Sequence, residues 1–194
     1  MLNSMMLKII MVLFLCFLSI FIFTTCDSSY SRYEEQYTIS DNSKDIKLAI
    51  ENEINTSNKN VGKPTNITII IRNEAIIDDL KLVLSTMSDG NLALYQFKIN
   101  EKNMLRSVSG GYSSGSIGMP VIETKKGKYL LVYGGKFEKK LSYIIVKLME
   151  KEYVYNIADK EYFIDYYMVD KDVQKTSGES YRLLDEKNIE VTGF

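Results

Sequence analysis

A change of hydrophobic period near residue 66 constrains this chain more than any other feature. Upstream of it, Ile46, Ile50 and Ile54 recur every four residues, with Ala49 beside them. That spacing gathers apolar side chains on one face of a helix. Downstream, Ile67, Ile69 and Ile71 alternate with other residues, and Leu80, Leu82 and Leu84 repeat the pattern. A two-residue period places alternate side chains on one buried face of a strand. The chain therefore reads as one helix followed by strands to the end.

The spacing predicts the helix over residues 43–55, with Asp41 or Ser43 accepting a backbone N–H at its start and Lys44, Lys47, Glu51 and Glu53 on its wet side. A polar loop is expected over 55–64. Strands follow over 67–72, 80–86, 92–99 and 104–108, with Asp89-Gly90 as a hairpin turn, since glycine supplies the positive φ that tight turns need. The Ser/Gly run over 107–118 reads as a flexible loop. Beyond Pro120, strands are expected over 121–124, 129–133, 141–149, 152–157, 161–169, 181–184 and 189–194. The segment 141–149 is apolar on both faces and so should be central, and Gly134-Gly135 should bend or bulge the chain. The expected fold is α+β, mainly β. A helix packs on an antiparallel sheet over 43–118, and a small antiparallel β-sandwich, immunoglobulin-like in layout, occupies 119–194.

The first 25 residues carry an address. Lys8 is their single charge, and residues 9–23 are apolar apart from Ser19. A basic start and an apolar core of about 7–15 residues mark a secretory signal. A spanning helix needs roughly 17 or more apolar residues. Extension back to Met5 keeps an uncleaved anchor over 5–23 as the alternative. Phe23-Thr24-Thr25-Cys26 then resembles the lipobox of bacterial lipoproteins, with Phe23 and Thr25 in place of the smaller or aliphatic residues usual there. The layout is similar to that of small lipoproteins of low-GC Gram-positive bacteria. The resemblance implies cleavage before Cys26, a diacylglyceryl group on that cysteine, and a position outside the cytoplasmic membrane. Residues 26–42 are polar and read as a tether.

Loss of residues 1–25 removes Cys16 and leaves Cys26 as the single, lipid-bearing cysteine, so no disulfide is expected. It also leaves 23 basic and 25 acidic side chains. No basic block points to nucleic acid. The chain has no histidine. That excludes every Ser-His or Cys-His nucleophile pair and the commonest zinc ligand.

Four patterns hint at chemistry. Gly111-Tyr112-Ser113-Ser114-Gly115 matches the G-x-S-x-G of serine hydrolases, but that motif needs a strand–turn–helix and a base for the serine proton. The same glycines offer backbone amides to an anion. Asp41-Asn42-Ser43-Lys44-Asp45 begins like a calcium loop, without its glycine or closing glutamate. Asp78-Asp79 supplies the adjacent carboxylates that a glycosidase would need only if the fold spaced them correctly. Tyr153, Tyr155, Tyr162, Tyr166 and Tyr167 fall on expected strands, where some must face outward to meet a sugar or a protein. The expectation is a non-catalytic binding module without metal or cofactor, held to the membrane through Cys26, with an envelope protein or glycan as partner. An accessory sensor or inhibitor subunit of a membrane complex is one alternative. A hydrolase using carboxylates or a Ser–Lys pair is the other.

Overall fold

The computed structural model describes residues 36–113, 117–135 and 140–192. The signal-like run, Cys26 and the first part of the tether lie outside them. Contacts divide the chain into Met1–Thr38 and Ile39–Phe194. The architecture that follows is that of the second unit, which begins inside the stretch expected to be tether.

This unit is mainly β, with one helix and antiparallel sheets. Strand β1 (Ile39–Ser40) leads into α1 (Ser43–Asn60). Then come β2 (Ile69–Ile77), β3 (Leu80–Met87), β4 (Leu92–Ile99) and β5 (Met104–Ser113). They form a sheet in the order β1-β5-β4-β3-β2. Strands β6 (Ile117–Gly118), β7 (Val121–Glu123), β8 (Lys128–Gly135) and β11 (Tyr162–Val169) form a second sheet, with β8 in its middle. Strands β9 (Tyr143–Leu148), β10 (Lys151–Asn156) and β12 (Ser180–Leu184) form a third, with β9 central; Ile144, Val146 and Leu148 on one of its faces are buried, while Tyr143, Ile145 and Lys147 on the other are not.

The alternation of side chains along β3 and β4 feeds two separate cores. Val83, Met87, Ala93, Tyr95 and Phe97 join Ile46, Ile50 and Ile54 of the helix. Leu80, Leu82, Leu84, Leu92 and Leu94 join Ile122, Tyr129 and Leu131 from β7 and β8. The next residues of β8, Leu130 and Val132, join Ile144, Val146 and Leu148 of β9, Tyr155 of β10 and Phe163 of β11. Burial of such side chains at about 25 cal/mol per Å² is the main force holding the strands together.

Several expected boundaries move for identifiable reasons. The helix cap is Asn42, not Asp41 or Ser43: its extended backbone lets the side-chain oxygen accept from the Asp45 amide at 2.9 Å. The helix continues through Asn60, across residues expected to be loop. Polar side chains hold that flank against the start of β2. Glu51 accepts from the Ile69 amide at 2.9 Å, and Asn55 accepts from the Ile67 amide and donates to its carbonyl. Gly62, at φ 69°, then turns the chain away. Gly134 and Gly135 end β8, paired with Phe163 and Tyr162. A Cβ on Gly135 would stand 2.5 Å from the Glu161 carbonyl, so the close approach requires glycine. Among the described residues of the last expected strand, one bridge forms, Leu184 to Glu190.

Candidate functional site

The residues singled out from the sequence go to four different places. Gly111, Tyr112 and Ser113 lie in β5, opposite Leu94, Ala93 and Leu92 of β4. A nucleophile elbow turns sharply from strand to helix, whereas β5 stays in its ladder through Ser113 and the next element is the short strand β6. Ser114 and Gly115 lie outside the described residues.

Asp41 and Asp45 serve the start of the helix. Asn42 donates to Asp45 at 2.8 Å, and Asp41 accepts from Lys81 Nζ at 2.6 Å. Lys81 also meets Glu74 at 2.7 Å. Among the described residues, no group of three or more acids, histidines or cysteines is placed to hold a metal.

Asp78, in the turn from β2 to β3, accepts from Thr124 Oγ1 at 2.5 Å and from the Tyr129 hydroxyl at 3.1 Å, and meets Lys126 at 3.0 Å. The Thr124 hydrogen bond, with help from Lys126 and Tyr129, holds its carboxyl below the usual carboxylate range. Asp79 lies 3.7 Å from Lys125. A glycosidase needs one acid kept protonated near neutrality. Asp78 is tuned in the opposite sense, as a hub joining two turns.

The tyrosines divide between core and surface. Tyr155 is fully buried and donates to the Leu130 carbonyl at 3.0 Å. Tyr153 packs against the same cluster, and Tyr162 packs against the core beneath β3 and β4. Tyr166 and Tyr167 are exposed. They are neighbours on one strand and so point to opposite faces. Tyr167 meets the Tyr153 ring at 5.8 Å and the buried Tyr155 ring at 5.0 Å, whereas Tyr166 meets Tyr129 at 5.8 Å.

What the sequence reading missed is a groove of about 450 Å³ between α1 and the β4–β5 pair. Glu53, Ile54, Ser57, Asn58 and Val61 line it from the helix side, with Lys63 just beyond. Tyr95, Gly110 and Gly111 line it from the sheet. Its volume falls within the usual range for ligand clefts, about 300–1,000 Å³. Two local features create it. The helix extends past its last core isoleucine, so its final turns stand over the sheet with polar residues facing the gap. In the sheet, Gly110 lies directly across from Tyr95. A Cβ there would come within 2.1 Å of the Tyr95 ring, so the aromatic occupies the space that the glycine leaves. Glu53 is fixed by the Ser107 hydroxyl, which donates to it at 3.0 Å.

The lining combines buried apolar surface from Ile54 and Tyr95, exposed main chain, one carboxylate and one amine. Its polar side chains are Glu53, Ser57, Asn58 and Lys63. The signal that could have located it was the aromatic–glycine juxtaposition, visible only once the register of β4 against β5 is known.

Comparison of the chain with protein-family models, with curated proteins and with solved structures finds no match. Among the described residues, no helix is long and apolar enough to cross a membrane.

Proposed function

We propose that this protein is a lipid-anchored, extracytoplasmic binding module that recognises another envelope component through the α1–β5 groove. The observation that carries the binding reading is the groove itself, with its apolar floor, two opposite charges and open glycine backbone. The anchor reading rests on the basic start, the apolar run and Cys26. Absence of histidine from the whole chain favours binding over turnover. Within the same proposal, residues 119–194 form a sandwich. The core shared by Val132, Phe163, Ile144, Val146 and Leu183 supports it, since facing sheets interdigitate in that way.

Two measurements test this reading. The intact mass of the protein from its native host should equal residues 26–194 plus a diacylglyceryl group, and the protein should partition into detergent. An uncleaved, lipid-free start would refute the anchor. Because the chain has no tryptophan, a Ser57→Trp variant carries a single indole in the groove. Its emission should shift when solubilised envelope fractions are added. Unchanged emission across all fractions would refute the groove as the binding site.

A further inference from the structure

Strands β10 and β11 are outer strands of two different sheets, and among the described residues no ladder joins them. Side chains close the seam instead. Lys151 meets Asp170 at 2.6 Å. Further along, Tyr167 donates its hydroxyl to the Val154 carbonyl at 2.9 Å. Alternation puts Tyr153 and Tyr155 on one face of β10, and Asp165 and Tyr167 on one face of β11. The Tyr167 ring makes an edge contact with Tyr155 at 5.0 Å and lies tilted by 47° against Tyr153 at 5.8 Å.

Tyr167 is thus held from two sides, by the bond at its hydroxyl and by a buried ring beside it, yet it is 45% exposed. A ligand that meets a ring already fixed loses little side-chain freedom. What surrounds the rings selects that ligand. Lys151 is paired with Asp170, and Lys160 lies 3.7 Å from Asp165. All four side chains are at least 38% exposed, and their charges cancel. A charged ligand gains nothing overall from such a rim. Hydroxyl groups can both donate to its carboxylates and approach its ammonium donors. The exposed parts of Tyr153 and Tyr167 total under about 200 Å². That is far below the roughly 800 Å² that each partner gives to a stable protein interface. Asp165 and Asp170 stand about 16 Å apart along the strand, a length for several linked rings rather than one.

We propose that the β10–β11 seam is a second binding site, for a neutral oligosaccharide. The apolar face of one sugar ring stacks on Tyr167, its neighbour meets the exposed part of Tyr153, and the two ion pairs take hydroxyls at either end. The site shares no residue with the α1–β5 groove and stands independently of the reading above.

Isothermal titration calorimetry of the full-length protein, in a detergent without sugar groups, tests the proposal. The probes are chitohexaose, cellohexaose and mannohexaose, with hexagalacturonate as the charged control. At least one neutral sugar should bind, and hexagalacturonate should bind more weakly. Raising the salt from about 0.05 to about 0.5 M should leave the neutral sugar's affinity unchanged. Tyr167→Leu keeps an apolar side chain in the seam and should weaken binding about tenfold. Tyr167→Phe keeps the ring, loses its tie to Val154 and should weaken binding about twofold. The Ser57→Trp variant should bind the same sugar without a change in emission. No binding of any neutral sugar, tighter binding of hexagalacturonate, or undiminished binding by folded Tyr167→Leu would overturn the proposal. So would full affinity loss in Tyr167→Phe, which leaves the stacking ring in place. An emission shift in Ser57→Trp would put the sugar in the groove and overturn it likewise.

Discussion

Replacing Lys81 with methionine should destabilise the folded unit far more than a surface lysine would. The Lys81 side chain is only 9% exposed and meets Asp41 at 2.6 Å and Glu74 at 2.7 Å. Those contacts tie β3 to β2 and to the residue before the helix cap. Removing one partner of a fully buried ion pair costs about 3–5 kcal/mol, because a charge is stranded. Here the two carboxylates remain 27% and 31% exposed, so water recovers part of that loss. The expected cost of Lys81→Met is about 2–3 kcal/mol, or a drop of about 1 M in the urea midpoint. The triple variant Lys81→Met/Asp41→Asn/Glu74→Gln strands no charge and should return to within about 1 kcal/mol of the parent. The effect also has a pH signature. Burial pulls the Lys81 pKa down, but the hydrogen bonds and charges of Asp41 and Glu74 outweigh it and hold the group above the ordinary value of 10.5. A raised folded-state pKa contributes stability that is fully present below the unfolded value and is lost as pH rises through the folded one. The gap between parent and Lys81→Met should therefore stay constant from about pH 7 to 10 and narrow above that. Urea unfolding followed by circular dichroism measures each quantity. A neutral Lys81→Met, or a triple variant no more stable than the single one, would refute the reasoning.

Three further outcomes follow from the same structure. Gly110→Ala forces the Tyr95 ring from its seat and should cost about 1–3 kcal/mol, whereas Gly111→Ala, whose new Cβ meets nothing within 4 Å, should stay within about 0.5 kcal/mol; equal urea midpoints for the two would contradict the packing account. Tyr155→Phe leaves the buried Leu130 carbonyl without its donor and should cost about 1–2 kcal/mol, read as a lowered unfolding midpoint with unchanged far-ultraviolet dichroism. Thr124→Val removes the main cause of Asp78's lowered pKa; such a group stabilises above its unfolded value of 3.8 and loses that contribution as pH falls below it, so the variant's deficit should be present at pH 7 and close in acid, as measured by urea unfolding across pH.

The legible parts of the fold were those written in apolar periodicity. Ile46, Ile50 and Ile54 reached the core as their spacing required, and the doubly apolar segment around Ile144 became a central strand. The extension of the helix through Asn60 was hidden because nothing apolar marks it. Asn55 is held by main-chain bonds to Ile67, and Asn58 donates to the Pro64 carbonyl, so the contacts are long-range and polar. The second half of β2 was hidden by a bulge between Ile71 and Asn73, which breaks simple alternation. The Ser/Gly run looked like a loop because small residues carry no period. Its residues 107–113 belong to β5, held by the ladder to β4 and by Tyr95 filling the space over Gly110. The groove was illegible for related reasons, since Ser57, Asn58 and Lys63 on one side and Gly110 and Gly111 on the other come from segments that the sequence presented as loops.

The doubly buried β3 and β4 have a consequence for how this protein can change over time. A substitution at Val83 or Ala93 must suit the helix side, and one at Leu82 or Leu94 must suit the other core, so no position facing either layer varies alone. The outward residues of α1 and of the β9–β10–β12 sheet carry no such double obligation. Drift should therefore gather in the outermost layers, while the two inner strands keep their residues as a matched set. Lineages of this protein would then diverge most in surface character and least in the hairpin around Asp89-Gly90.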